Sequence, residues 1–387
     1  MQHPPRVVMV AGETSGDLLA GLLLDGLRAQ WPQVASMGIG GPRMAERGFD
    51  AWWPSERLAV HGYSVELVRR LAGILRIRRQ LRARLLGGDR PDVFIGVDAP
   101  DFNLGLEAEL RAAGIRTVHF VCPSIWAWRA ERIAKIRAAC DHVLCLFPFE
   151  PELLARHGIG ASYVGHPLAR VIPLEPDRLA ARRALGLQPE DEVLAILPGS
   201  RSAEVAYIAP PFFEAAARIL RARPRLKILV PAVPALQGRV ARAAREAGLD
   251  DAATTVLAGQ SHAALAACDC TLIASGTATL EAALFKRPMV IGYRMHPWSW
   301  RLMRRKQLQP WVGLPNILCG EFAVPELLQD AGTPEALAAA VLGWLDARQG
   351  DPARIAALEA RFTELHHELR RDTPRLAADA IRTLLGA

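Results

Sequence analysis

Cysteine, lysine and long apolar runs are scarce in this 387-residue sequence, and each shortage excludes something. The cysteines, Cys122, Cys140, Cys145, Cys268, Cys270 and Cys319, form no C-x-x-C pair. Cys268-Asp269-Cys270 also has no second half at zinc spacing, which argues against a zinc module. Buried or indifferent thiols in a reducing compartment are expected instead. No uncharged apolar stretch reaches the roughly 18 residues of a membrane span, so no transmembrane helix is expected. Met1-Gln2-His3-Pro4-Pro5-Arg6 shows no basic region followed by an apolar core and a small-residue cleavage site, so no signal peptide is expected. These absences make a soluble cytoplasmic protein the default. The only lysines are Lys135, Lys227, Lys286 and Lys306, so the net charge of +7 is carried almost wholly by arginine. Genome composition alone can produce that bias, and only the placement of the arginines can point to an anionic partner. What is present is globular composition, 51% apolar and 22% charged, which rules out a disordered or collagenous chain.

The length suits two domains. Short apolar runs at Arg6–Val10, Asp92–Val97, Arg116–Val121 and His142–Phe147 read as buried strands, and Asp17–Gln30 carries helical spacing through Leu18, Leu22, Leu23 and Leu27. Strand-then-helix alternation predicts a doubly wound parallel sheet. The Pro- and charge-rich stretch Pro173–Glu192 interrupts the pattern. It then restarts with strands at Val193–Leu197, Leu226–Val230, Thr255–Leu257, Cys270–Ala274 and Pro288–Tyr293. From Pro334 to Leu385 the chain reads as helix, broken at Gly350-Asp351-Pro352 and Thr373-Pro374. The expected organisation is therefore an α/β domain over 1–172, a linker over 173–192, a second α/β domain over 193–350 and terminal helices over 351–387.

Ligands of doubly wound sheets bind beyond the carboxyl ends of the strands, so the residues just after each strand matter most. After the first strand stands Ala11-Gly12-Glu13-Thr14-Ser15-Gly16-Asp17. Its glycines permit close backbone approach, and the helix start offers N–H groups to an anion or a sugar hydroxyl. The plainer reading is a helix capped by Ser15 or Asp17. Glu13 is harder to dismiss, because capping does not need a second carboxylate. Gly38-Ile39-Gly40-Gly41 is only a fragment of a dinucleotide fingerprint. Asp98-Ala99-Pro100-Asp101-Phe102-Asn103 places a carboxylate where it could take a proton from an attacking hydroxyl, though a turn aspartate before proline is common. In Leu197-Pro198-Gly199-Ser200-Arg201, Gly199 and Ser200 would expose backbone N–H groups, and Arg201 would add a planar fork suited to phosphate. In Ser275-Gly276-Thr277-Ala278-Thr279-Leu280-Glu281, small residues would let a phosphate approach a helix N-terminus. A capping box fails there because Ala278 stands three before Glu281, so Glu281 could hold a ribose instead. Asn316, in Leu314-Pro315-Asn316, could bond a sugar or pyrophosphate.

The segment Tyr63–Leu86 puts Leu67, Val68, Leu71, Ile74 and Leu75 on one helical face, with Arg69, Arg70 and Arg76 off it. Most such stripes pack on a sheet. Here the crowd of arginines, with no acid from Glu66 to Asp89, favours an anionic membrane surface. Arg294–Trp311 adds a second region mixing Trp298, Trp300 and Trp311 with Arg301, Arg304, Arg305 and Lys306.

As a set, the motifs at 11–17, 98–103, 197–201, 275–281 and 314–316 resemble the lipid-A-disaccharide synthase family. Pro123-Ser124-Ile125-Trp126-Ala127-Trp128 and Gly165-His166-Pro167 do so as well. The resemblance implies a GT-B glycosyltransferase, with two Rossmann-like domains facing across a cleft and a helical C-terminus crossing back. That terminus would pack on the N-terminal domain or be exchanged in a homodimer. The first domain would take the acceptor and face the membrane, and the second would bind the UDP-sugar. The implied reaction joins UDP-2,3-diacylglucosamine to 2,3-diacylglucosamine 1-phosphate, giving the β(1→6) lipid A disaccharide phosphate and UDP. The implied place is the cytoplasmic face of the inner membrane of a Gram-negative bacterium, bound peripherally to anionic lipids. Asp98 would be the base and Glu13 its support, with Gly12, Glu13, Ser15 and Gly16 on the acceptor. Arg201, Gly199, Ser200, Ser275, Gly276 and Thr277 would hold the diphosphate, Glu281 the ribose, and Asn316 the donor. No cofactor is implied, and no Asp-x-Asp pair offers to hold a nucleotide-bound metal. The rivals are a peptidoglycan N-acetylglucosaminyltransferase, a UDP-N-acetylglucosamine 2-epimerase, and a non-catalytic binder of nucleotide-sugar or anionic lipid. A nucleic-acid partner is not expected, because the basic residues are not interleaved with stacking aromatics on one domain.

Overall fold

The fold is that of a computed structural model, which describes residues 4–58, 65–128 and 130–386. Two compact units divide the chain, Met1–Pro167 with Leu369–Ala387, and Leu168–Glu368.

The first unit is built on a seven-stranded sheet. Its strands are β1 (Arg6–Ala11), β2 (Ala35–Gly40), β3 (Asp50–Pro54), β4 (Val93–Val97), β5 (Arg116–Phe120), β6 (His142–Cys145) and β7 (Ala161–Tyr163). Their order is β3-β2-β1-β4-β5-β6-β7, all parallel. A central parallel strand is covered on both faces and so reads as an unbroken apolar run. Alternate residues of β1 accordingly enter two cores. Val7, Met9 and Ala11 join Leu23 and Leu27 of the helix Thr14–Gln30, together with Ala377, Ala378 and Ile381 of the last helix, Thr373–Leu385. Val8 and Val10 join Ile77, Leu81 and Leu85 of the helix Val65–Leu86 on the other face. The last helix packs closely on its own chain, since a Cβ added at Gly26 would stand 2.0 Å from the carbonyl oxygen of Pro374.

The second unit repeats the pattern with β8 (Val193–Leu197), β9 (Lys227–Ala232), β10 (Thr254–Ala258), β11 (Cys270–Ala274), β12 (Met289–Tyr293) and β13 (Glu326–Leu328). Their order is β10-β9-β8-β11-β12-β13, again parallel. Both sheets therefore run outward from a first strand and then switch sides, which is the Rossmann arrangement with a switch point at the carboxyl edge.

Two boundaries differ from those expected. The stretch 173–192 is part of the second unit rather than a free connection. It holds the helix Arg178–Ala184, whose buried Arg182 bonds Asp269 at 3.0 Å and the carbonyls of Ala267 and Pro189 at 3.0 and 2.6 Å. A guanidinium so enclosed fixes the segment against the sheet. The terminal helices also part company, because Pro352–Leu369 lies almost wholly in the second unit and Thr373–Leu385 in the first.

The glycines of the fingerprint fragment have a structural reason. Gly38 lies in β2 with φ 135°, and a Cβ there would sit 2.2 Å from the carbonyl oxygen of Met9. Gly40 is closed in by Met44 and Phe49 in the same way.

Candidate functional residues on each carboxyl edge

The carboxyl edge of the first sheet is strained in one place. Asp98 and Ala99, directly after β4, have φ of 52° and 44°, and Val121, directly after β5, has φ of 84°. Left-handed backbone costs an L-residue about 1–2 kcal/mol, and a β-branched residue there is an outlier. Such strain persists where the surroundings over-determine it, and it concentrates at functional sites. The surroundings here are specific. The Asp98 N–H donates to the carbonyl of Phe120 at 2.8 Å, and Asn103 donates its amide to the carbonyl of Asp98 at 2.8 Å. The Asp98 side chain is half-buried, and its carboxylate has no hydrogen-bond or ion-pair partner among the described residues.

The loop after β1 meets this turn. A Cβ on Gly12 would lie 3.5 Å from the side chains of both Ala99 and Leu58, and one on Gly16 would lie 3.5 Å from the carbonyl of Val97. Glu13 is the N-cap residue of the helix Thr14–Gln30, yet its exposed side chain makes no capping bond. Ser15 is also exposed. Neither Ser15 nor Asp17 caps this helix. Asp17 is buried and accepts N–H bonds from Gly41, Arg43 and Met44 at 2.9, 2.9 and 3.2 Å, capping the next helix, Pro42–Ala45. The first edge thus brings Glu13 and Asp98 onto neighbouring loops, while Asp17 serves the scaffold.

Two motifs without an assigned role prove to be one cluster. Trp126 packs edge-on against Phe147 and Phe149, and the His166 ring stacks on Phe147 at 5.7 Å. Inside lies Glu150, buried, accepting bonds from the Trp126 indole and the Phe147 N–H, both at 3.0 Å. Burial pushes the Glu150 carboxyl up to about 8 and the His166 imidazole down to about 4. A second buried group joins Glu107 to His119 at 2.8 Å and to the Cys140 thiol at 3.5 Å. Burial holds that thiol protonated, as a donor to Glu107.

On the second sheet the two glycine turns differ. After β8, Gly199 has φ of 115°, but the N–H groups of Ser200 and Arg201 are not open to a ligand. Both donate to the Glu204 carboxylate, at 3.1 and 3.2 Å, and the Arg201 guanidinium pairs with it at 3.3 Å. The expectation of exposed N–H groups is corrected on that point. Glu204 stands three residues after Arg201, and that capping-box spacing was available in the sequence. The side chain of Arg201 is itself 79% exposed.

After β11, by contrast, Gly276 has φ of 157° and ψ of −166°, a conformation kept for glycine. It heads the helix Thr277–Leu284 with no side-chain cap and nothing within 4 Å of where a Cβ would stand. Ser275 anchors the turn by donating to the carbonyl of Val312 at 3.1 Å. Glu281 stands one turn into the helix, its carboxylate 3.5 Å from His262, whose imidazole is raised by that bond. His262 was not singled out in the sequence. It opens the helix after β10 and shares no short motif with Glu281.

The Asn316 side chain is bonded within the protein itself. It is fully buried, its amide donates to Val324 at 2.9 Å and to Glu326 at 2.8 Å, and its oxygen accepts from the Val324 N–H at 3.0 Å. Glu326, from the edge strand β13, also takes the N–H groups of Val312 and Gly313 at 2.9 Å each. Burial pushes its carboxyl up, against those bonds. Asn316 and Glu326 together fix the loop beside Ser275.

Of the residues placed on a membrane face, Leu75 is 50% exposed, Ile74 is half-buried and Arg76 is exposed. The side chains of Leu67, Val68, Arg69, Arg70 and Leu71 lie outside the described residues, as does Tyr63. Among the described residues no helix is long and apolar enough to cross a membrane.

Comparison with known proteins bears on the fold and the family. Structural similarity extends to a Neisseria meningitidis UDP-GlcNAc 2-epimerase bound to UDP-GlcNAc, at a TM-score of 0.59 and 10% identity over 99% of this chain and 100% of that one. It extends also to an α,α-trehalose-phosphate synthase (UDP-forming) from Burkholderia vietnamiensis, at a TM-score of 0.59 and 13% identity over 99% and 98%. These likenesses establish the GT-B type of fold. In sequence, the chain is 68% identical over 385 residues to a lipid-A-disaccharide synthase of Verminephrobacter eiseniae, covering 100% of this chain and 98% of that protein. It is 67% identical over 380 residues to the one of Albidiferax ferrireducens, covering 98% and 97%. The family profile for lipid-A-disaccharide synthetase matches residues 7–381. With a profile and relatives that span it nearly end to end, this chain belongs to the lipid-A-disaccharide synthase family.

Proposed function

We propose that the protein is a lipid-A-disaccharide synthase that joins UDP-2,3-diacylglucosamine to 2,3-diacylglucosamine 1-phosphate and releases UDP. The observation that carries this reading is 68% identity to a lipid-A-disaccharide synthase over the whole chain. The two carboxyl edges supply a matching division of labour.

In this reading the acceptor's 6-hydroxyl attacks the anomeric carbon of the donor in one inverting step. The oxygen–carbon bond forms as the bond from that carbon to the diphosphate breaks. Asp98 takes the hydroxyl proton. Its carboxylate lacks a competing partner among the described residues, and its turn is held rigidly, as a positioned base requires. Glu13 orients the acceptor from the neighbouring loop, with Gly12 and Gly16 allowing close approach. On the second unit the open helix N-terminus at Gly276, with Ser275 and Thr277, stabilises the charge that builds on the departing diphosphate. Arg201, exposed and paired with Glu204, adds a cation near Gly199 and Ser200. Glu281, with His262, holds the ribose hydroxyls. Asn316 acts through Glu326 on the loop Val312–Gly313 and does not touch the donor. No step needs a metal. The exposed Leu75 and the basic helix around it favour peripheral attachment to anionic lipid at the cytoplasmic face of the inner membrane.

The test mixes purified protein with both lipids and follows UDP release. UDP formed only when both lipids are present supports the reading. Epimerised UDP-sugar without an acceptor, or binding without release, would move the protein to one of its rivals.

A further inference from the structure

A cavity of about 620 Å³ opens in the first unit between the segment Trp53–Arg57 and one face of the helix Val65–Leu86. That volume is in the range of small-molecule sites. The helical wall is Gly73, Arg76, Ile77 and Gln80, spaced i, i+3, i+4 and i+7 and hence on one face. Gly73 opens the space. A Cβ there would meet no atom within 4 Å, and glycine mid-helix is a poor helix former that calls for a reason.

The charges of the cavity are uncommitted. Arg78 and Arg82 of the same helix pair with Glu109, and Arg84 pairs with Asp89. Arg57 and Arg76 have no hydrogen-bond or ion-pair partner among the described residues. Among the described residues of the lining, Glu56 is the single carboxylate against two arginines, so that described lining carries a net positive charge. Two guanidinium forks facing one space suit a phosphate. Trp53 offers a flat apolar wall, and Glu56 and Gln80 offer partners for hydroxyls, which together suit a sugar ring. The cavity also adjoins the reacting edge, because Leu58, next to Arg57, packs at 3.5 Å from the Cβ position of Gly12, as does Ala99 beside Asp98.

We propose that this cavity is the acceptor subsite, taking the phosphorylated sugar headgroup of a glycolipid with its phosphate on Arg57 and Arg76. The proposal deepens the function given above and rests on it for the identity of the lipid. It also moves Arg76 from a general membrane contact to a specific one.

The experiment measures UDP release in detergent micelles with 2,3-diacylglucosamine 1-phosphate and with its dephosphorylated form. In parallel, isothermal titration measures binding of the same two lipids to the protein without donor. Wild type should prefer the phosphorylated lipid by about tenfold or more, the scale of charge-assisted bonds. R57A/R76A should lose that preference through a raised acceptor KM, with the donor KM unchanged. Gly73→Leu adds a better helix former into open space, so it should fold, and it should raise the acceptor KM without removing charge. Binding to phosphatidylglycerol vesicles separates the two lipid sources, and Gly73→Leu should leave it unchanged. Wild-type kinetics in Gly73→Leu would overturn the proposal. So would a double variant that keeps its preference for the phosphorylated lipid, or one that loses only vesicle binding. If wild type releases no UDP yet binds the phosphorylated lipid through these residues, the activity fails and the subsite stands.

Discussion

The two sheets share the order of their first six strands, but the turns of interest on their carboxyl edges are built from different material. On the first, the unusual backbone falls on Asp98, Ala99 and Val121, residues with side chains. On the second, two of the turns of interest, at Gly199 and Gly276, rest on glycine. Glycine takes those angles at no steric cost and presents backbone, which suits an anion. Asp98 takes its angle at a cost and presents a carboxylate, which suits proton transfer. Under the proposed function one scaffold carries two chemistries, chosen by what sits at the strained position.

The largest effect that sharpens this contrast should come from Asp98→Asn. Asparagine tolerates the left-handed backbone, so the turn survives while the base is lost. Turnover should fall roughly 100- to 10,000-fold, the usual contribution of a general base, with UDP affinity retained. Near wild-type turnover would remove Asp98 from the chemistry. Next, Gly276→Ala forces a side chain into a conformation worth about 1–3 kcal/mol of strain, although space for the methyl exists. UDP affinity by calorimetry should weaken about tenfold with folding intact, and unchanged affinity would show that the diphosphate does not use this turn.

A smaller change tests the two glycine turns against each other. Glu204→Gln keeps an oxygen for the Ser200 and Arg201 N–H groups but removes the negative charge beside them. UDP should bind about threefold tighter, the size of one like-charge repulsion near a wet surface. Weaker binding would mean that the carboxylate orders the loop for the nucleotide.

The smallest effect is a pH slope in the first unit. Glu150 rises from an ordinary 4.5 to about 8 on folding, so its stabilisation is full below about pH 4.5 and lost as pH rises through about 8. His166 falls from 6.5 to about 4, so its contribution is present above pH 6.5 and lost as pH falls through about 4. The two oppose each other between pH 4.5 and 6.5, and above that Glu150 acts alone of the pair. Tm should therefore decline from pH 6.5 to 8 in wild type and stay flatter in Glu150→Gln. Equal slopes would show that the cluster does not hold a buried proton.

The central strands were legible because parallel strands covered on both faces become continuous apolar runs, as in β1, β4 and β8. The edges were not. The strand β2, Ala-Ser-Met-Gly-Ile-Gly, reads as a loop, β3 ends in proline, and β7 and β13 have three residues each. Asp98, Glu13 and the glycine turns stood out because they follow strands directly. Glu150, His262 and Glu326 did not, because their partners lie 24, 19 and 10 residues away and meet them only through the fold. The partners of Asn316 were hidden for the same reason. Its proline-bounded loop gives no sign of the edge strand whose Glu326 takes its amide.

The return of Thr373–Leu385 to the first unit sets an order of manufacture. The second unit is one unbroken stretch, Leu168–Glu368, and can complete itself as it emerges from the ribosome. The first unit emerges earlier but lacks the helix that brings Ala377, Ala378 and Ile381 to its core. Its opening residues must therefore wait, with an apolar face uncovered, until nearly the whole chain has been made.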